Sequence, residues 1–327
     1  MTTSLFLDAN VFLSFYLFGK DDLEEMAKLV KLIGDEEITL LSNAHLVREV
    51  QRRREGKIAE GFNALKSANF GREFPHYCND YPEYPEIKSK LKDVGKLHAS
   101  LVSKAMTDIE AKTLRADLLI NGLFDLATDI PIDEDLYSRA LRRVELGEPP
   151  GKNRSVGDAI HWEALKSHSP IFELNLVTLD SDFSSPLNAS MIDGYLEEEW
   201  IASGFLRSVR LFPSLSGFFK ERFPAIELSV EFEKDELVGR LKGSPNFAET
   251  HEIINKLTGF EGLTRGQIRG VFEALTTNSQ VGWIATDADV KEFYVRFEDN
   301  AWFLNTSIRE RAEELLEVES GFFGLPF

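Results

Sequence analysis

Short apolar runs that end in polar residues alternate with helical patterns through the first 213 residues. Apolar-rich runs at 4–7, 38–41 and 175–179 predict short buried strands. Helical periodicity lies between them, at 21–33, at 44–56 with Gly56 as its expected end, and at 156–167. Because strands alternate with helices, the pattern predicts the α/β class, with a mostly parallel sheet covered by helices.

The pattern changes in the middle and towards the end of the chain. Residues 57–150 have largely helical patterns, interrupted by a Pro- and Tyr-rich stretch at 74–85 that predicts an irregular loop. From residue 214, at least three further helices are expected, around 247–257, 264–278 and 287–297. We therefore expect a main domain at 1–213 and a mainly helical C-terminal domain at 214–327.

Charge and cysteine content narrow the function classes. Lys and Arg number 37 against 55 Asp and Glu, a net charge of -18, which argues against non-specific adhesion to nucleic acid or anionic lipid. A nucleic-acid site must then be a local basic patch. The single cysteine, Cys78, can form no internal disulfide and fits a reducing compartment. No apolar run approaches the ~18 residues of a membrane span, so we expect a cytoplasmic protein that does not bind membranes.

Carboxylates stand at the predicted strand ends. Asp8 follows the first strand, Asp180 follows the last, and Asp158 lies in the first turn of the helix before that strand. In open parallel sheets, ligands bind beyond the carboxyl ends of the strands, so these acids should share a site that Glu49 can also reach. Acids this close repel unless a cation neutralises them, and the hard ions Mg²⁺ and Mn²⁺ prefer such oxygen ligands. The residues indicate metal-assisted phosphoryl chemistry.

Four segments carry a resemblance to a known family. Leu7-Asp8-Ala9-Asn10-Val11, Glu49 on a helix, Gly157-Asp158-Ala159 and the segment 177–183, Val-Thr-Leu-Asp-Ser-Asp-Phe, resemble a PIN domain. PIN-like proteins are metal-dependent nucleases that act mostly on RNA. The resemblance implies four catalytic metal ligands, a reserve ligand at Asp182 and supporting roles for Asn10 and Thr178. The four are Asp8, Glu49, Asp158 and Asp180.

The resemblance also sets expectations for the fold and for partners. It covers residues 4–213 and implies a PIN-like parallel sheet flanked by helices. The long segment between Glu49 and Asp158 exceeds what a compact PIN domain needs, so we expect a helical insertion at about 57–150. The stretch at 147–163 is similar to a subgroup of larger bacterial PIN-like proteins. Homodimers are common in this family, and a homodimer is therefore one expectation for this chain.

Two basic segments adjoin the proposed ligands. The first includes Arg48, Arg52 and Arg53, and the second includes Lys152 and Arg154. Because Arg and Lys position nucleic-acid backbones through their phosphates, we expect these five residues to hold RNA, with DNA as the other candidate. A solvated helix face explains each segment as well when it is taken alone.

Each proposed ligand also has a purely structural interpretation. Asp158 follows Ser155 at the spacing of a capping box, and Glu49 could pair with neighbouring arginines on a solvated helix face. Asp8 and Asp180 could belong to ordinary polar turns. The six histidines lack metal-site spacing, although His45 and His161 lie near proposed ligands in the sequence.

Two other functions remain open. Residues 176–182 also resemble the strand and Asp-x-Asp motif of haloacid dehalogenase-type phosphohydrolases, with Asp180 as nucleophile and Asp182 as general acid. A PIN-like fold that binds nucleic acid without cutting it is the other alternative. Under the nuclease hypothesis, a toxin, a defence nuclease and a processing enzyme all fit these residues.

Overall fold

The computed structural model describes residues 2–17, 20–70, 73–151, 155–168, 173–204 and 209–324. Its strands are β1 (Thr3–Leu7), β2 (Ile38–Ser42), β3 (Thr128–Asp129), β4 (Leu174–Val177), β5 (Ser184–Ser185), β6 (Asn188–Ile192) and β7 (Val209–Phe212). Its helices up to β7 are α1 (Ala9–Ser14), α2 (Lys20–Gly34), α3 (Ala44–Ser67), α4 (Glu83–Ala111), α5 (Arg115–Leu126), α6 (Glu134–Leu146), α7 (Val156–Ser167) and α8 (Gly194–Ala202). The helices that follow are α9 (Leu215–Arg222), α10 (Leu228–Lys242), α11 (Phe247–Thr258), α12 (Arg265–Thr277), α13 (Ser279–Gly282), α14 (Ala288–Val295) and α15 (Thr306–Leu316).

A parallel sheet confirms the predicted α/β class. Five strands of the described chain lie in the order β3-β2-β1-β4-β7. Leu7 at the end of β1 is opposite Val177 at the end of β4, and Val177 is opposite Phe212 at the end of β7. All four residues of β4 are buried, as expected for a strand covered on both faces. The shared register brings the carboxyl ends of β1 and β4 to one edge, where Asp8 and Thr178 follow.

The chain divides into two compact units. One comprises residues 4–26 and 40–218, and the other comprises residues 2–3 and 27–39 together with 219–324. The second unit has its own apolar core, built from α10 to α15 around Val271, Phe272 and Tyr294. The sequence division at residue 213 placed residues 27–39 with the first domain, whereas the compact units group them with the C-terminal helices.

Helix α3 corrects one expected boundary. Gly56 was expected to end this helix, but α3 continues to Ser67. Its buried stripe of Leu46, Val50, Arg54 and Ile58 repeats every fourth residue and extends past Gly56. This packing overcomes the cost of about 1 kcal/mol that a glycine brings to a helix interior.

The segment predicted as an insertion contributes to the sheet. Residues 57–150 are largely helical as expected, but β3 pairs in parallel with β2 through Leu41 and Thr128. Helix α6 ends at Gly147, whose φ of 72° is the left-handed conformation that favours glycine at this position. Helix α4, by contrast, has no buried residue along its 29 residues. Because β3 belongs to the sheet, the insertion consists mainly of α4 and the segments on either side of it.

The C-terminal helices begin and end close to the expected positions. Thr264 accepts a hydrogen bond from the Gln267 N–H, and Gln267 reciprocates at the Thr264 N–H, so a capping box starts α12. The search for membrane spans found no helix in the described residues that is both long and apolar enough to cross a bilayer.

Candidate active site

Asp8 lies directly after β1 and is only 4% exposed. The Thr178 hydroxyl donates to its Oδ2 over 2.8 Å, and Asn10 Nδ2 lies 3.4 Å from the same oxygen. Asp8 starts α1 without forming a side-chain cap bond, so turn chemistry does not account for its carboxylate. Burial raises the pKa of Asp8, and the charges of Glu49 and Asp180 raise it further, although the Thr178 hydrogen bond and His161 oppose this.

The end of β4 forms the second part of the site. Thr178 accepts a hydrogen bond from the Asp180 N–H over 2.9 Å while its hydroxyl proton points to Asp8. Asp180 Oδ1 accepts from the Asp182 N–H over 2.9 Å. One threonine thus couples the ends of two neighbouring strands. Asp182, the expected reserve ligand, is 6% exposed.

Asp158 enters from the first turn of α7. Burial is the main cause that raises the pKa of Asp158 to about 6, and the charges of Asp8 and Asp180 add to it against a hydrogen bond with Ser155. Ser155 makes no side-chain cap bond to the start of α7, so the alternative capping box is not formed. The charges of Asp8 and Asp180 are therefore close enough to disfavour the ionised form of Asp158.

Glu49 approaches from the second turn of α3, with a cationic or imidazole side chain near each of its oxygens. Arg53 Nη1 donates to Oε1 over 2.9 Å, and His161 Nε2 lies 3.6 Å from Oε2. His161 and Arg53 together lower the pKa of Glu49 to about 2, with His161 the larger influence. Arg53 Nη2 also donates to Asn10 Oδ1 over 2.9 Å, which connects Glu49 to the Asp8 side of the site.

Two histidines join Glu49, contrary to the expectation that the histidines lack metal-site spacing. Within the described residues, ligand atoms of His45, Glu49 and His161 all lie within 4.8 Å of one another. The spacing of His45 and Glu49, four residues apart on one helix, was the signal available in the sequence. A Cβ at Gly157 would lie 3.3 Å from His45 Nε2 and 3.5 Å from Glu49 Oε2, so a larger residue would crowd this group.

The five basic residues expected to bind nucleic acid differ in their surroundings. Arg48 and Arg52 are exposed on α3, whereas Arg53 is bound to Glu49 and Asn10. Lys152 and Arg154 lie outside the described residues. A cleft of about 490 Å³ adjoins Asn10, with Arg52, Arg53 and Lys57 among its lining residues.

The comparisons with known proteins agree with this geometry. A family model described as a PIN domain matches residues 5–183, which include every proposed carboxylate. The chain belongs to the PIN domain family. No curated protein and no solved structure matched the chain. PIN domains are generally metal-dependent nucleases, so membership indicates nuclease activity in general.

The donor set fits a hard divalent cation. The four proposed ligands offer carboxylate oxygens, which Mg²⁺ and Mn²⁺ prefer. Burial is the main cause that raises the pKa of both Asp8 and Asp158, and the charges of neighbouring carboxylates raise it further. A divalent cation would relieve that repulsion. The roles of the individual residues remain predictions.

Proposed function

We propose that this PIN domain protein is a metal-dependent endonuclease, with RNA as the preferred substrate and DNA as the alternative. Mg²⁺ or Mn²⁺ would be held by Asp8, Glu49, Asp158 and Asp180, with Asp182 in reserve. The observation that carries the proposal is that Thr178 links Asp8 to the Asp180 backbone at the ends of β1 and β4, with Asp158 near enough for the charges of both to act on it. Carboxylates gathered in this way are stabilised by a shared cation.

The ion, when bound, would supply an activated water and stabilise the leaving oxygen of a phosphodiester. The chain supplies the positioning. Thr178 holds Asp8 Oδ2 and the Asp180 N–H in one arrangement. Arg53 holds Glu49 and Asn10 together.

Substrate would enter by the cleft beside Asn10. Arg52 and Lys57 line this cleft together with Leu13 and Leu179, so one part of its wall is cationic and another is apolar. Cationic side chains position a nucleic-acid backbone through its phosphates. The same cleft therefore provides a path for one strand towards the acids.

A cleavage assay tests the proposal. Total RNA and single-stranded DNA are incubated with Mn²⁺, and the ends of the products are sequenced. Wild type is compared with Asp8→Asn, and Asp93→Asn on the exposed helix α4 is the matched control. We expect cutting by wild type and by the control, loss of cutting with a chelator, and a decrease of more than about 100-fold in Asp8→Asn, beyond the range typical of outer-shell residues.

Three results, one of them from an added phosphatase assay, would each contradict part of the proposal. Binding of intact RNA by wild type across all substrates with either ion would favour a non-cutting scaffold. A trapped phosphate on Asp180 with a phosphomonoester substrate would favour the phosphohydrolase. Equal cutting by wild type and Asp8→Asn would exclude Asp8 from the reaction.

A further inference from the structure

His161 is a buried side chain to which the proposed reaction assigns no role. It is 1% exposed, and its ring lies between Asn43 and Glu49. Its Nδ1 is 3.1 Å from Asn43 Nδ2. Its Nε2 is 3.6 Å from Glu49 Oε2 and has no hydrogen-bond partner in the described part of the chain. The location of the ring proton decides what this histidine can do.

Asn43 determines that location. Asn43 caps α3, and its Oδ1 accepts a hydrogen bond from the Leu46 N–H over 2.9 Å. Its amide nitrogen is therefore the atom that faces His161. An amide nitrogen only donates, so Nδ1 of the neutral imidazole must accept and Nε2 must carry the proton.

A protonated Nε2 cannot ligate a metal, because a ligand nitrogen needs a free lone pair. The proximity of His45, Glu49 and His161 could otherwise be taken for a transition-metal site. Glu49 Oε2 is the nearby acceptor for the Nε2 proton, at 3.6 Å, while Arg53 donates to the opposite oxygen, Oε1. Glu49 thus lies between His161 and Arg53.

We propose that Asn43 fixes His161 in the Nε2–H tautomer, and that His161 is a positioning residue that orients the Glu49 carboxylate towards the metal. This inference rests on the proposed role of Glu49 as a metal ligand. Asn43, the capping residue of α3, would then influence the metal site through the His161 ring. Outer-shell partners of this kind typically change metal affinity by about 10- to 100-fold when they are removed.

The tautomer is read directly by NMR. The full-length protein is labelled with ¹⁵N-histidine, and the proton positions on the imidazole nitrogens are recorded with and without Mg²⁺. The His161→Gln spectrum identifies the His161 signals. We expect a protonated Nε2 in both states. Loss of the Nε2 proton on addition of Mg²⁺ would overturn the proposal and make His161 a metal ligand.

Affinity for Mn²⁺, measured by electron paramagnetic resonance of the free ion, tests the positioning role without any cleavage. Asn43→Ser keeps a good helix cap but removes the amide donor, and we expect about tenfold weaker binding. His161→Leu should show a similar loss. His161→Gln, which restores an N–H near the Nε2 position, should recover most of it. His98→Leu on α4 is the control and should bind as wild type does.

The variants distinguish the proposed metal role of Glu49 from the positioning role of His161. If Glu49→Gln binds Mn²⁺ as tightly as wild type, the metal role of Glu49 is wrong, and the positioning role is wrong with it. If Glu49→Gln loses affinity while Asn43→Ser and His161→Leu both keep it, only the positioning role is overturned. Equal losses in His161→Gln and His161→Leu would also contradict it, because the donor would then be irrelevant.

Discussion

Burial raises the pKa of three acids in the unit formed by residues 4–26 and 40–218, but the net shift of Asp117 is opposite to those of Asp8 and Asp158. Asp117 accepts hydrogen bonds of 2.6 Å from Arg54 on both of its oxygens and another of 2.6 Å from the Tyr16 hydroxyl. Burial raises its pKa, but these bonds outweigh that effect and bring the pKa below its ordinary value. Asp8 and Asp158 are also buried, yet their pKa values are raised.

The opposite pKa shifts arise because Asp117 has a cationic partner in the chain, whereas Asp8 and Asp158 do not among the described residues. Asp117 is paired with an arginine of the same chain, and the pair is almost fully buried. Among the described residues, Asp8 and Asp158 have hydroxyl partners but no Arg or Lys ion pair. The acid with its own cation stabilises the fold. The acids without one are the candidates for an external divalent ion, and the following predictions test that distinction.

The largest effect is expected at the paired acid. Asp117→Asn leaves the buried Arg54 guanidinium without its carboxylate, and removal of one partner from a buried pair costs about 3–5 kcal/mol. Urea denaturation should show this loss in the free energy of unfolding, with or without Mg²⁺. Asp93→Asn, on an exposed surface, should change stability by less than about 0.5 kcal/mol. A loss below about 1 kcal/mol at Asp117 would show that its pairing does not stabilise the fold.

Asp8→Asn should raise the free energy of unfolding in the absence of metal, whereas Asp117→Asn should lower it. Without metal, the variant should be more stable than wild type, because it removes one of the mutually repelling charges. Wild type should gain about 2.7 kcal/mol when Mg²⁺ exceeds its dissociation constant 100-fold, and Asp8→Asn should gain much less. Thermal denaturation measures both quantities. If both proteins gain equally from Mg²⁺, the ion does not bind at Asp8.

The pH dependence of stability follows from Asp158. Its pKa is about 6 in the folded state against an ordinary value of 3.8 for a free aspartate, so between these pH values the folded protein retains a proton that the unfolded chain has released. The contribution of Asp158 to the free energy of unfolding is thus present below about pH 4 and is lost as pH rises through 6.

A comparison of wild type with Asp158→Asn isolates this effect. Without metal, the variant should gain about 2 kcal/mol relative to wild type between pH 4 and pH 7. Urea denaturation in the presence of a chelator measures the change. An identical difference between the two proteins at both pH values would mean that the pKa of Asp158 is not raised.

The smallest effect is expected at the cleft. Arg52→Ala should weaken RNA binding and reduce the slope of log affinity against log salt by about 1, because one phosphate contact is lost. Arg311→Ala, a change at an exposed position on α15, should leave the slope unchanged. Filter binding at several salt concentrations provides the measurement. An unaltered slope in Arg52→Ala would remove Arg52 from the proposed path of the substrate.

The sheet edge was the most predictable part of this molecule. The apolar runs of β1 and β4 are buried, and each ends just before an acid or its supporting threonine, so pattern alone places Asp8 and Asp180 near each other. The helical insertion was less well defined. The two residues of β3 are too short a run to show a strand pattern, and only their pairing with β2 reveals them.

The partners of Glu49 could not be inferred from local pattern. Arg53 was expected to contact substrate, and that stays a prediction, but its hydrogen bonds to Glu49 and Asn10 were not foreseen. His161 reaches Glu49 only because α7 packs against α3, and the cap of α3 turns an Asn43 amide towards its ring. Such contacts depend on how helices pack, which sequence spacing does not encode.

Calorimetric titration of Mg²⁺ into the metal-free protein tests most directly whether the unpaired acids hold an ion. The titration is run at pH 6 and at pH 8, each in two buffers that differ in ionisation enthalpy, so that proton release is measured. At pH 6, binding should expel on the order of half a proton from Asp158, and at pH 8 it should expel almost none. Absence of binding, or binding with equal proton release at both pH values, would contradict the account.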